Sequence, residues 1–248
     1  MMQNGPILKL GTTVAAASLV EAFRLPNPRQ DRRGNLRVAA SNHYRRELDI
    51  SWLSAASDTY QISADLSDYV IVEIPIVTID IPNRNMDCFP YEEVTRFHPL
   101  LGRMVYSTFV GKPTHKDHQN KDPLKAKGCH FDASLSLRSF YTDGRGPKLH
   151  KISVFAGFDR TKDRDLVSDI LNRRRVGYSM GALVDFTRCS VCGQISSTAR
   201  RCAHMTMGKG KVVEGKLIYD LCYGVNYIET SSVADPADVS ANSDMRWM

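Results

Sequence analysis

No apolar run in this chain of 248 residues approaches the roughly 20 residues that a membrane-crossing helix needs, so no such helix is expected. The short apolar stretch from Val14 to Val20 has no basic segment before it and runs into Glu21, so it does not read as a secretion signal. Without that signal, the six cysteines are expected to be reduced or metal-bound rather than paired in disulfides. The metalloprotease motif HExxH is absent. There is no internal repeat. Nor is there the interleaving of aromatic and basic residues that builds a platform for single-stranded nucleic acid. What remains is a soluble, globular composition: 42% hydrophobic residues and a net charge of +6. It suffices for one buried domain plus an extension. A solvated basic surface explains the charge plainly; an acidic protein substrate, an acidic scaffold or nucleic acid would be sharper explanations.

Three zones follow from the text. Residues 1–63 read as a weakly structured extension, a candidate propeptide, with a short helix expected over Thr13–Phe23 and a polar linker over Asn27–Asn35. Residues 64–240 form the main domain, with a Cys-rich insert at 188–206, and 241–248 form a tail. In the main domain Tyr69–Ile81 is rich in Val and Ile, as a buried strand should be. Pro90 opens a helix expected to reach Phe97. Phe131, Ala133, Leu135 and Leu137 alternate with polar residues, Asp143–Gly146 carries a hairpin-turn signal, and Lys148–Phe158 is the returning strand. Asp163–Arg175 reads as a helix with an apolar stripe of Leu166, Val167, Ile170 and Leu171. Its three closing arginines suit the negative helix end, and Gly177 its stop. A strand pair is expected between Val212 and Glu229. The sum is an α+β domain around a mostly antiparallel sheet or barrel.

Two segments carry candidate chemistry. Gly111-Lys112-Pro113-Thr114-His115 places an imidazole after a rigid turn. Gly177-Tyr178-Ser179-Met180-Gly181 opens an alternating run in which Tyr178, Met180, Ala182, Val184 and Phe186 share one face. The apolar face must enter the core, so Ser179 is turned away from it, beside Gly181, which leaves room for a substrate backbone. Serine is a poor nucleophile until a base removes its proton, and histidine is suited to that near neutral pH. A purely structural serine fits the local pattern equally.

The insert offers Cys189-Ser190-Val191-Cys192-Gly193, then Cys202-Ala203-His204. Three cysteines and one histidine at this spacing match a closed structural zinc site, because four N/S ligands complete a tetrahedron. The bland reading is reduced, partly buried thiols. Cys222 is a substitute ligand; Cys88 and Cys129 read as packing residues.

Further text resembles a known family. The run Gly-Lys-Pro-Thr-His115-Lys-Asp-His-Gln-Asn with Asp122-Pro123 and Lys127-Gly128 is similar to the histidine segment of tailed-phage prohead (head-maturation) proteases. So are Asp159-Arg160-Thr161-Lys162-Asp163 with its helix, and Gly-Tyr-Ser179-Met-Gly-Ala. Tyr227–Asp238 resembles that family's last core strand and following loop, and Asn83–Asp87 with Phe89-Pro90 its opening motif. The resemblance spans roughly 69–238. It implies the fold of herpesvirus assemblin, a compact mostly antiparallel β-barrel surrounded by helices, with the zinc knuckle as an insert. Carried over, Ser179 is the nucleophile, His115 the general base and Glu229, on the last core strand, the third member that orients the imidazole. Asp117, His118, Asp185 and His204 are rivals for that third place. The oxyanion donors are expected from backbone N–H groups, with the loop after Val233 as their source by analogy.

The implied activity is serine endopeptidase cleavage of scaffold protein, major capsid protein and the chain's own termini, after Glu, inside the prohead in the host cytoplasm, with retention in the virion or a homo-oligomer both compatible. A Glu-selecting pocket needs a cation, and Lys112, Arg160, Lys162 and Arg173–Arg175 are candidates. Leu19-Val20-Glu21 is a sensible self-processing site. No membrane partner is expected and nucleic acid is disfavoured. The alternatives are a non-enzymatic zinc-knuckle module that binds nucleic acid or capsid, or a catalytically inactive assembly relative.

Overall fold

The computed structural model describes residues 51–139, 147–175, 177–196 and 200–233, with the backbone of four short strands before them. Those are β1 (Ile7–Leu10), β2 (Ala15–Ala16), β3 (Leu36–Ala39) and β4 (Arg45–Leu48). Helix α1 (Leu53–Tyr60) and strand β5 (Tyr69–Thr78) follow, then β6 (Asp87–Cys88), α2 (Tyr91–Val94), β7 (Phe97–His98), β8 (Arg103–Met104) and β9 (Pro113–Lys116). The middle of the chain supplies β10 (Gly128–Ser139), β11 (Lys148–Asp159), α3 (Arg164–Leu171), β12 (Gly177–Val184) and β13 (Phe186–Cys189). It closes with β14 (Ile195–Ser196), α4 (Ala203–Met207), β15 (Val212–Val213), β16 (Lys216–Leu217), β17 (Asp220–Tyr223) and β18 (Asn226–Val233).

This is a mixed α+β fold with few helices. The main sheet runs β1-β12-β18-β9-β10-β11-β5, with β2 also on β12. All its pairings are antiparallel except β9 with β18. The sheet curls into a half-barrel: Val72, Ile74 and Ile76 of β5 share one core with Met180 and Ala182 of β12, although these strands lie far apart in strand order. Alternation dictates which side chains enter. Tyr178, Met180, Ala182 and Val184 are all in that core, as expected from period-2 patterning, with Phe158 of β11 and Tyr227 of β18. Phe109 stacks on Tyr227 with ring centroids 4.2 Å apart. Each such fully buried side chain contributes about 1.5–3 kcal/mol by removal from water.

The opposite face of β5 and β10 is covered by a second cluster, in which Leu53 of α1 meets Tyr69, Ile71, Cys129 and Phe131. Asp159, fully buried, accepts the N–H of Ser63 at 2.7 Å and fastens the segment after α1 to the sheet. The smaller sheet, β14-β13-β17-β6, is built from continuations of the main one. β12 runs through Asp185 into β13, and β17 runs through Gly224 and Val225 into β18.

Several local expectations change. The helix at Pro90 stops at Val94, with Pro90 as its cap, because the chain turns to pair Phe97 with Met104. Helix α3 starts as expected, Asp163 accepting the N–H of Leu166 at 2.9 Å, but ends at Leu171. Arg173 takes the left-handed conformation (φ 57°), and the N–H groups of Arg174 and Arg175 turn back to the Asp169 carbonyl, closing the helix early. The arginines therefore lie beyond the helix, and Gly177 begins β12 instead of stopping α3. Ala15–Ala16 pairs with Gly177 and Tyr178 as strand, not helix, satisfying backbone groups on the edge of β12. The Asp143–Gly146 turn, the Asn27–Asn35 linker, the Leu19–Glu21 site and the tail lie outside the described residues.

His130 of β10 is fully buried. Its Nδ1–H donates to the Lys112 carbonyl at 3.0 Å, leaving Nε2 as a bare lone pair without a partner among the described residues. Burial pushes its pKa down to about 3. A depressed pKa stabilises the fold above the unfolded value near 6.5, and that stabilisation is lost as pH falls toward 3. Acid unfolding of His130→Phe should therefore show a shallower dependence between those limits than wild type, by a few kcal/mol. Equal slopes in urea melts across that range would show that His130 is not the responsible group.

Candidate active site

Three neighbouring strands assemble the site. On β12 the apolar residues face the core, so Ser179 and Gly181 face outward. β18 lies antiparallel to β12 with Ser231 opposite Ser179 and Glu229 opposite Gly181. β9 lies parallel to β18 on its other side, with His115 opposite Ser231. Directly paired residues project to the same side of a sheet. His115, Ser231 and Ser179 therefore form one row on one face, with Glu229 beside it. Two strand spacings put the outer members about 9.5 Å apart at the backbone, and no hydrogen bond joins Ser179 Oγ to the His115 imidazole, which instead meets the Lys125 backbone carbonyl.

The row is buried: Ser179 is 2% exposed, His115 1% and Glu229 1%. Ser179 Oγ and His115 Nδ1 have no hydrogen-bond partner among the described residues. Glu229 is well served. Ser231 Oγ–H donates to its Oε2 at 2.7 Å and Asn120 Nδ2–H to its Oε1 at 3.3 Å. His118 Nδ1 lies 3.9 Å from the same Oε1. The turn after β9 thus folds back over the sheet face and sets His118 and Asn120 on the acid. Gly181 makes room below: a Cβ there would stand 2.9 Å from Glu229 Oε1 and 3.0 Å from Cγ. That is a second reason for glycine at this position, beyond access for a substrate.

The two imidazoles are tuned in opposite directions. Burial lowers the pKa of His115, with the charge of Glu229 opposing it, so the neutral base form is favoured at neutral pH. The Glu229 carboxylate 3.9 Å away raises that of exposed His118. The other rivals for the third place sit elsewhere. Asp117 is bound by Arg175 at 2.8 Å, Asp185 is exposed at the far end of β12, and His204 belongs to the cysteine insert. Of the candidate cations, Arg160 reaches the Ser67 carbonyl, Lys162 that of Gln61, and Arg174 pairs with Asp169. With Arg175 engaged, the side chains of Lys112 and Arg173 are left without a bond among the described contacts. Ser231 and Asn120 were not singled out from the sequence. Ser231 could have been found from its spacing of two from Glu229; no sequence signal marks Asn120.

The insert forms the cluster expected. One ligand atom each from Cys189, Cys192, Cys202 and His204 lies within 4.8 Å of the others, so these residues could hold a metal ion. Four thiolate and imidazole ligands around zinc stand about 3.8 Å apart, a modest contraction. The donor chemistry fits. His204 Nδ1 is buried without a partner among the described residues, and the N–H groups of Val191 and Met205 point to the sulfurs of Cys189 and Cys202 at 3.4 and 3.5 Å. Gly193 (φ 70°) makes the tight turn of the knuckle. Cys222 packs in the main core and is not part of the cluster. Cys88 and Cys129 are buried, and burial raises the Cys88 thiol to about 12.

A serine and a histidine flanking one strand, with a buried carboxylate on the same face, form the kind of set that nucleophilic acyl transfer uses. No protein-family model matches the chain, and neither does any curated protein. Among solved structures it is similar to the capsid assembly protease gp21 of bacteriophage T4, at 12% identity and a TM-score of 0.42, over 94% of this chain and 100% of that one. That is the class of protein the motifs resemble. No helix among the described residues is long and apolar enough to cross a membrane.

If Glu229 holds His118 as the geometry indicates, His118 should titrate above 6.5 by NMR. Glu229→Gln should return it to its ordinary value, and Gly181→Ala, which displaces the carboxylate, should move it part of the way. A His118 titration indifferent to both changes would disprove the contact.

Proposed function

We propose that this protein is a serine endopeptidase of phage head maturation, with Ser179 as nucleophile, His115 as general base and Glu229 as the acid that stabilises the imidazolium. The observation that carries the reading is the shared row of His115, Ser231 and Ser179 on one sheet face. His115 takes the Ser179 proton as Oγ attacks the scissile carbonyl, and the oxyanion is held by backbone N–H groups. Collapse of the intermediate breaks the C–N bond, and the imidazolium gives its proton to the departing amine. Water, deprotonated by the same imidazole, then hydrolyses the ester and frees Ser179. Ser231, Asn120 and His118 surround the Glu229 carboxylate and hold it in its buried position.

In this reading the domain at 64–240 adopts an assemblin-like fold, and its substrates are scaffold and major capsid proteins, cut after Glu inside the prohead. Of the candidate cations, Lys112 and Arg173, whose side chains are without a bond among the described contacts, would meet the Glu side chain. Cleavage of the chain's own N-terminal extension is supported by its course: β1 lies along β12 with Leu10 opposite Gly181, and Ala15 pairs with Tyr178. Cys189, Cys192, Cys202 and His204 would hold a structural zinc ion. Such an ion ties the end of β13 to α4 and takes no part in the reaction.

Ser179→Ala and His115→Ala should each lower cleavage of a Glu-containing scaffold peptide by at least about 10³-fold while leaving the fold intact. N-terminal sequencing should find the extension cut in wild type and whole in Ser179→Ala. A serine-directed phosphonate should label Ser179. Full activity in either variant refutes the role given to that residue.

Purified protein should also carry one zinc ion per chain by elemental analysis. Cys192→Ser or His204→Ala should lose it and lower the melting temperature. Metal-free protein that melts as the wild type does would remove the zinc assignment without touching the catalytic one.

A further inference from the structure

Strand β9, which carries His115, has only four residues and ends in a costly turn. Asp117 (φ 50°) and His118 (φ 57°) both lie in the left-handed region that residues with a Cβ enter at a penalty. Two successive residues in that state persist only when their surroundings hold them. One restraint is the contact of His118 and Asn120 with Glu229. The other is Arg175. Its Nη2 donates to Asp117 Oδ1 at 2.8 Å and Oδ2 at 3.0 Å, and its Nη1 to the Ser232 carbonyl at 3.3 Å. The same carbonyl accepts the Asp117 N–H at 2.9 Å.

The location matters more than the count of bonds. Ser232 pairs with Lys116 on one side and Tyr178 on the other, one residue beyond the row of His115, Ser231 and Ser179. Arg175 stands two residues before β12. One guanidinium therefore joins the end of the histidine strand, the strand of Glu229 and the approach to the serine strand. A solvated surface pair would be the ordinary explanation, but the Arg175 side chain is only 12% exposed and is fixed at three points. A lysine ammonium lacks the planar fork that serves a carboxylate and a carbonyl together.

We propose that Arg175, through Asp117, is a positioning residue: it fixes the end of β9 on β18 and so keeps His115 in line with Ser179. This rests on the protease reading for its catalytic consequence but not for the clamp itself. Arg175→Met and Asp117→Asn, the latter able to keep the left-handed turn, should lower kcat by about 100-fold with KM within about twofold, as misplacement of a catalytic group by an ångström does. Arg175→Lys should fall between, and the double variant should be no worse than Arg175→Met, because both changes break one pair.

Hydrogen exchange gives a readout independent of turnover. The Asp117 and Lys116 amides should lose protection in Arg175→Met, while those of β5 and β11 keep theirs. Wild-type kcat in Arg175→Met, unchanged exchange at Asp117, or protection lost evenly across the sheet would each overturn the proposal. If the wild-type chain cleaves no peptide, the protease reading fails and exchange alone decides the clamp.

Discussion

The parallel register between β9 and β18 is the constraint on which the site depends. Side chains alternate along a strand, so a slip of one residue would turn His115 to the core face and bring Thr114 or Lys116 into its place. β9 is short, and its other neighbour, β10, pairs with it at only two positions, Gly128 with Thr114 and Cys129 with Pro113. Much of the register is therefore held from outside the ladder. Thr114 Oγ1–H reaches the Gly157 carbonyl at 3.1 Å, Lys127 N–H bonds the Thr114 carbonyl at 2.7 Å, and the polar turn after Lys116 docks on Glu229 and Arg175.

The strands that bear Ser179 and Glu229 leave the main sheet together and meet again as β13 and β17 of the small one, Phe186 opposite Tyr223 and Cys189 opposite Asp220. The cysteine–histidine cluster sits at the end of that shared path, and an ion there would hold one end of the same pair whose other end carries Ser179 and Glu229. On the far side β17 pairs with β6, placing Asp220 directly opposite Asp87. Two like charges so placed would repel, but Lys209 Nζ lies 2.6 Å from each carboxylate. The insert is therefore an extension of the strands that bear Ser179 and Glu229 and not a separate appendage.

How far the fold could be read in advance differs from element to element. β5, β10, β11 and β12 were visible because each is long and half or fully buried, so its period-2 or continuous apolar text reports its surroundings. The outward direction of Ser179 followed from the same alternation. The early end of α3 was not visible, since Arg173, Arg174 and Arg175 satisfy helix electrostatics as well as they satisfy the turn and contacts they make. Nor was the fold-back of His118 and Asn120 onto Glu229, a meeting of residues more than a hundred positions apart that leaves no mark on local composition.

The amino-acid order alone determined which residues alternate into a core, which cysteines and histidine share a knuckle, and which serine faces away from the apolar side, because each follows from spacing within a few positions. Only the tertiary structure decided that His115, Ser231 and Ser179 share one row, that Glu229 rests over Gly181, and that Arg175 binds Asp117 instead of closing a helix. Those outcomes depend on pairing between distant segments, and strand register is chosen by the packing of the whole sheet, not by any segment in isolation.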